Sequence, residues 1–113
     1  MYKKKIPYSR QSISKLDIKE VVKTLKSDFL TSGPQVLKLE KEIQKYLKVK
    51  YAVCVNSATS ALHISCMALG LRKKDEFWTS TNSFVASANC GEFCGAKLDL
   101  VDINLDDFNI SLE

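Results

Sequence analysis

The chain has 113 residues and a mass of 12.7 kDa, with 17 Lys+Arg against 13 Asp+Glu for a formal charge of +4. This length allows one domain at most. With 45% hydrophobic and 27% charged residues and only four Gly and two Pro, collagen-like and disordered classes are excluded. Area scaling lets a chain of this mass bury roughly two-thirds of its unfolded surface, enough for a modest core.

The N-terminus opens Met-Tyr-Lys-Lys-Lys-Ile-Pro, without the apolar run of a signal peptide, and no stretch is long and apolar enough to span a bilayer. A cytoplasmic protein without a membrane partner is expected. Lys3, Lys4 and Lys5 account for part of the basic excess and read as a solvated terminus. The cations are not interleaved with aromatics on one face, so no nucleic-acid partner is expected.

Ser14 with Asp17 resembles a capping box, and Ile18, Val21, Val22 and Leu25 recur at helical spacing behind it. A helix of about three turns is predicted there. Turn formers from Asp28 to Gly33 interrupt it, and Pro34 opens a second helix marked by Val36, Leu39, Ile43, Tyr46 and Leu47.

At Tyr51 the period changes. Residues 51–55 form a continuous apolar run, expected of a strand buried on both faces. Asn56 and Ser57 are good N-cap types, Leu62, Cys66 and Leu69 keep helical spacing, and Gly70 suits a helix stop. Residues 77–80 are a second strand candidate, residues 83–93 a helix stopped by Gly95, and residues 98–103 a third strand. Ser111 could begin another helix. The order β-α-β-α-β predicts an α/β layer with a mostly parallel sheet. Three strands and two covering helices leave edges and faces uncovered, so the chain is expected to be the N-terminal piece of a longer protein.

Cys54, Cys66, Cys90 and Cys94 are unevenly spaced, lack a C-x-x-C pair and have only His63 as a further soft ligand. No metal site is expected; the cysteines read as small core residues of a reducing compartment. Trp78 reads as core or near-core, and His63 as a packed or partly exposed histidine rather than a catalytic one.

Chemistry concentrates at the turn from residue 55 into the following helix. Small residues at a helix N-terminus leave N–H groups free to face an anion, and the hydroxyls of Ser57, Thr59 and Ser60 add donors. The same residues also make an ordinary well-capped helix start, and both readings stand. There is no G-x-G-x-x-G and no G-K-[ST]. Phe84 follows the polar stretch Thr79 to Ser83 beyond a strand end, where α/β sheets bind ligands. It either stacks on a flat ligand or packs beneath the sheet.

Together these segments resemble the N-terminal part of the pyridoxal phosphate (PLP)-dependent nucleotide-sugar aminotransferases of the DegT/StrS type. The resemblance runs through Ile6 to Ser9, Phe29 to Pro34, Val53 to His63, Thr79 to Asn89, Gly95 to Lys97 and Val101 to Ile103. It implies the large domain of the type I (aspartate aminotransferase-like) fold, a three-layer α/β architecture, here truncated. Residues 1–34 would be an N-terminal arm, helix and substrate loop, and residues 35–113 the first part of the PLP-binding domain. Ser57, Ala58 and Thr59 match the loop that holds the PLP phosphate, and Phe84 the aromatic stacked on the pyridine ring. Tyr8, Asp28, Phe29, Leu30, Thr31 and again Ala58 match positions that meet the sugar nucleotide.

The Asn-Ser-Ala-Thr-Ser-Ala-Leu-His form is most similar to family members of pseudaminic acid and surface polysaccharide biosynthesis. The resemblance therefore implies glutamate and a UDP-linked 4-keto-6-deoxy sugar as substrates, and a homodimer at full length. Thr81 stands where relatives commonly have Pro, and Trp78 where they have an aliphatic residue. The family's Schiff-base lysine is expected beyond position 113, so no catalytic residue is assigned and residues 1–113 alone are expected to be inactive. A PLP-dependent sugar dehydratase of the same fold and a non-catalytic small-molecule-binding module are the alternatives.

Overall fold

The computed structural model describes residues 6–111. The lysine cluster at positions 3–5 and any helix continuing from Ser111 through positions 112 and 113 lie outside the described residues. Contacts divide the chain into two compact units, Met1–Cys54 and Val55–Glu113.

The first unit contains α1 (Lys15–Leu25) and α2 (Pro34–Leu47). The predicted capping box is present in both directions. The Ser14 amide donates to Asp17 Oδ2 at 2.6 Å and the Asp17 amide to Ser14 Oγ at 3.3 Å. The Ser14 amide first, and then its hydroxyl, stabilise the charged carboxylate and hold Asp17 below the usual carboxylate range.

α2 starts with Pro34 at its first position, after an extended Gly33 that offers no side-chain cap. A Cβ on Gly33 would lie 2.9 Å from Phe29 Cβ, so glycine is what allows the loop to fold back on Phe29. α2 ends at Lys48, which takes the left-handed conformation at φ 55° and donates its amide to the Gln44 carbonyl.

Residues 51–55 do not form the predicted strand. They keep an extended-type alternation, with Ala52 and Cys54 half-buried and Tyr51, Val53 and Val55 exposed. A ladder needs a neighbouring strand's carbonyls and amides. Here the Cys54 amide instead donates to the Glu40 side chain of α2 at 2.9 Å.

The second unit contains α3 (Ala58–Ala68), β1 (Glu76–Ser80), α4 (Ala86–Glu92) and β2 (Lys97–Val101). β1 and β2 are parallel, with Glu76 opposite Lys97 and Ser80 opposite Val101. α4 is the crossover between them, as a parallel pair requires. It begins later than the predicted residue 83, because residues 84–89 first close a tight turn. The Ser87 amide reaches the Phe84 carbonyl at 3.0 Å and the Ala88 amide the Val85 carbonyl at 3.1 Å. β2 stops at Val101 rather than at residue 103; Ile103 instead forms an isolated antiparallel bridge with Ile110.

The core is built from small residues: Ala86, Cys90 and Gly91 of α4, and Ala96. All four cysteines are free thiols, but only Cys90 is buried, the other three being half-buried. Trp78, expected in or near the core, is exposed. Strand alternation puts it on the face opposite Phe77 and Thr79, two of the three half-buried positions of β1, Ser80 at the strand end being the third. Gly70 and Gly95 stop their segments in positive-φ conformations, at 80° and 79°, as the sequence predicts. A Cβ on Gly91 would run into the Phe77 ring, so α4 can approach β1 only with glycine there.

Gly91→Ala therefore destabilises the second unit by about 1 to 3 kcal/mol, the usual cost of overpacking, measurable as a lower melting temperature. Acid acts on the first unit. Because Asp17 is depressed in the folded state, its contribution to α1 is complete above the ordinary carboxylate value of 3.8 and is lost as pH falls through the lower folded value. Amide shifts of α1 followed from about pH 6 to 2 should show this step, Ser14→Ala should reduce it and Asp17→Asn should abolish it.

Candidate functional site

Ser57 is the N-cap of α3, with extended backbone at φ −160° and ψ 158°, and its Oγ accepts the Ser60 amide at 3.1 Å. That bond satisfies one of the first-turn donors; the amides of Ala58 and Thr59 have no helical carbonyl to reach. Ser57 and Ala58 are exposed and Thr59 is half-buried. The first turn of α3 carries no acidic residue, unlike that of α1. The partial positive charge of the helix start, roughly half an elementary charge, is therefore not neutralised by the chain's own cap.

Ser60 behaves differently from the sequence expectation of a free donor. Its hydroxyl is turned back to Asn56 Oδ1 at 2.7 Å, and its Oγ lies 3.0 Å from Ser57 Oγ. The sequence pointed to Asn56 only as a cap type. The i, i+4 spacing of two short polar residues across a helix start was the available signal for this bond.

Phe84 lies in the turn between the end of β1 and the start of α4, and it is 75% exposed. Ser80 Oγ, at the end of β1, accepts the Asn82 amide at 3.1 Å, and Ser83 donates its hydroxyl to Ser87 Oγ at 2.8 Å; both bonds shape the turn that carries Phe84. Ser57, Ala58, Thr59 and Phe84 all belong to the second unit.

Tyr8, Asp28, Phe29, Leu30 and Thr31 belong to the first unit and are all exposed. Leu30 lines an open groove with Glu20, Val21, Thr24 and Leu25 of α1 and with Gln35. Ser27 Oγ donates to the Thr24 carbonyl at 2.7 Å and lies 3.2 Å from the Phe29 carbonyl, pinning the loop at the end of α1.

Two groups considered for chemistry have structural roles. His63 packs edge-on against Phe93, ring centroids 5.3 Å apart, joining α3 to the end of α4. Burial, and then the neighbouring thiols of Cys90 and Cys94, push the Cys66 thiol up, away from the nucleophilic thiolate form. No helix among the described residues is long and apolar enough to cross a membrane.

A sequence profile of the DegT/DnrJ/EryC1/StrS aminotransferase family matches residues 11–113, and the chain belongs to this family. It is 40% identical over 108 residues to the uncharacterized protein MJ1066 of Methanocaldococcus jannaschii, covering 96% of this chain and 28% of that protein. It is 42% identical over 101 residues to the UDP-4-amino-4,6-dideoxy-N-acetyl-beta-L-altrosamine transaminase of Campylobacter jejuni, covering 89% and 27%. The chain thus spans little more than a quarter of the length of these relatives.

Among solved structures, the sugar aminotransferase Spr1654 of Streptococcus pneumoniae, described as putative and solved in a PLP form, superposes with a TM-score of 0.87 at 35% identity. That match covers 94% of this chain and 27% of the other. The GDP-4-keto-6-deoxy-D-mannose-3-dehydratase of E. coli with bound hydrated PLP superposes with a TM-score of 0.83 at 27% identity, covering 93% and 28%. The α/β architecture of this chain, with its parallel strands, is a small N-terminal portion of the PLP-dependent aminotransferase fold.

Proposed function

We propose that this chain supplies the phosphate-holding and ring-clamping part of a PLP-dependent enzyme that moves an amino group from glutamate to a UDP-linked 4-keto-6-deoxy sugar, in surface polysaccharide or pseudaminic acid synthesis. The observation that carries this reading is the start of α3, where small neutral residues present amides and hydroxyls with no acidic group in the first turn. The likeness to the Campylobacter jejuni transaminase supports the sugar class. PLP, when bound, supplies the electron sink for exchange of the amino group.

In this reading each residue of the chain has a physical task. The amides of Ala58 and Thr59 and the hydroxyls of Ser57 and Thr59 hold the phosphate, and the methyl-sized side chain of Ala58 leaves room for substrate. Phe84 covers one face of the ring and limits its tilt. Tyr8, Asp28, Phe29, Leu30 and Thr31 meet the sugar nucleotide. Residues 1–34 act as arm, helix and substrate loop, and residues 35–113 as the first part of the cofactor domain. The working enzyme is a cytoplasmic homodimer.

A sugar dehydratase is the second reading, favoured by the fold shared with the E. coli 3-dehydratase. The residues proposed here would hold the same cofactor in either reaction, so the amino product is the discriminating measurement.

Two sets of variants, in the protein expressed from its natural reading frame, test the cradle and the clamp. Thr59→Ala removes one hydrogen bond to a charged group and should weaken PLP binding about ten- to a hundredfold while leaving turnover at saturating cofactor nearly intact. Phe84→Ala should lower turnover as well, because a loosened ring is misaligned. Absorbance titration with product assay separates the two; parent-like binding by both variants would overturn the assignment. Ser57→Asp separates capping from anion binding. Aspartate caps as well as serine, so α3 should persist by circular dichroism, whereas the added charge should weaken PLP binding at least about tenfold.

A further inference from the structure

We infer that Ser60 is a positioning residue for the α3 cradle, acting through Ser57 as the middle member of a hydroxyl chain that ends on Asn56. This inference rests on the cradle reading above and adds a residue to it.

Three hydrogen-bond geometries fix the direction of the chain. At 2.7 Å the Ser60 hydroxyl donates to Asn56 Oδ1, an atom that can only accept. The proton in the 3.0 Å contact between the two serine oxygens therefore comes from Ser57. Residue 60 also donates its amide to Ser57 Oγ at 3.1 Å. Ser57 is thus held twice by residue 60, once at the backbone and once at the side chain.

A free serine samples three staggered wells; this arrangement selects one before a ligand arrives, so less freedom is lost on binding. The chain can also reverse. When an anion takes the Ser57 proton, the Ser60 hydroxyl can rotate from Asn56 to donate to Ser57 Oγ. Ser57 then accepts from Ser60 while it donates to the anion, a mutually polarising arrangement. Alanine at position 60 can do neither, and threonine can do both.

The test compares parent, Ser60→Ala and Ser60→Thr by three measurements: the Ser57 χ1 coupling constants, amide hydrogen exchange at residue 60, and titration with PLP followed by the phosphorus-31 shift. Ser60→Ala keeps the residue-60 amide bond to Ser57 Oγ but loses the hydroxyl partner, so it should broaden the Ser57 rotamer in part, modestly speed exchange at residue 60 and weaken PLP binding up to about threefold, the loss of one fixed well among three. Helix content should not fall, because alanine is the better helix former. Ser60→Thr should restore all three readouts. A Ser60→Ala protein with the parent's Ser57 rotamer, exchange and affinity overturns the role of Ser60 and leaves the cradle standing. A parent that does not bind PLP overturns the cradle and this inference together.

Discussion

The Phe77 ring lies against the backbone of Gly91, and the second unit is organised around that approach. Because glycine lets α4 settle on β1, the crossover is short enough to bring β2 alongside β1 in parallel register. The Ala96 amide then reaches the Gly91 carbonyl at 3.2 Å, and the Lys97 amide the Asp75 carbonyl at 2.9 Å, so the strand pair is tied at its start. α3 joins the same assembly where His63 meets Phe93. Small and aromatic residues make the close approaches of this unit, and the Lys97–Glu76 ion pair, 2.7 Å, adds an exposed tie between the two strands.

The two capped helices illustrate how one local rule serves different ends. α1 uses a serine and a carboxylate, so its positive end is compensated within the chain and Asp17 is held in its charged form. α3 uses serine alone and closes its turn with hydroxyl and amide groups of Asn56 and Ser60, all neutral. Both arrangements satisfy backbone donors, which is all that helix stability requires. Only the second leaves the field of the helix end available to an external anion.

Local chemistry was legible in the sequence where few residues decide the outcome. The Ser14–Asp17 box, Pro34 at a helix start, Ser57 as a cap and the glycine stops at 70 and 95 all depend on neighbours within four positions. Features that depend on distant partners were not legible. Residues 51–55 have the composition of a buried strand, but the Cys54 amide is bonded to Glu40, fourteen positions away. Trp78 has the character of a core residue, yet the alternation of β1 turns it from the α4 side. The same limit applied to Phe84, whose exposure is set by the turn ahead of α4 rather than by its own hydrophobicity.

Membership of an aminotransferase family whose structural neighbours include a sugar dehydratase sharpens what these residues can and cannot decide. In either reading of the proposed function the helix start must hold a phosphate-bearing ring and keep it in one orientation, since bond breaking at the substrate depends on alignment with the ring. Neither demand distinguishes the fate of the substrate's C–N or C–O bond. That choice belongs to the groups that move protons at the substrate. The side chains of the second unit that the proposed function uses are hydroxyls, amides and one aromatic ring, which bind and orient but are poor acids and bases near neutral pH. In that proposal these residues meet the requirement that the two reactions share. In the proposed function, discrimination of the sugar would fall to the exposed residues of the first unit, Tyr8 and Asp28 to Thr31, whose mixture of ring, carboxylate and hydroxyl suits a polar ligand better than an aliphatic one.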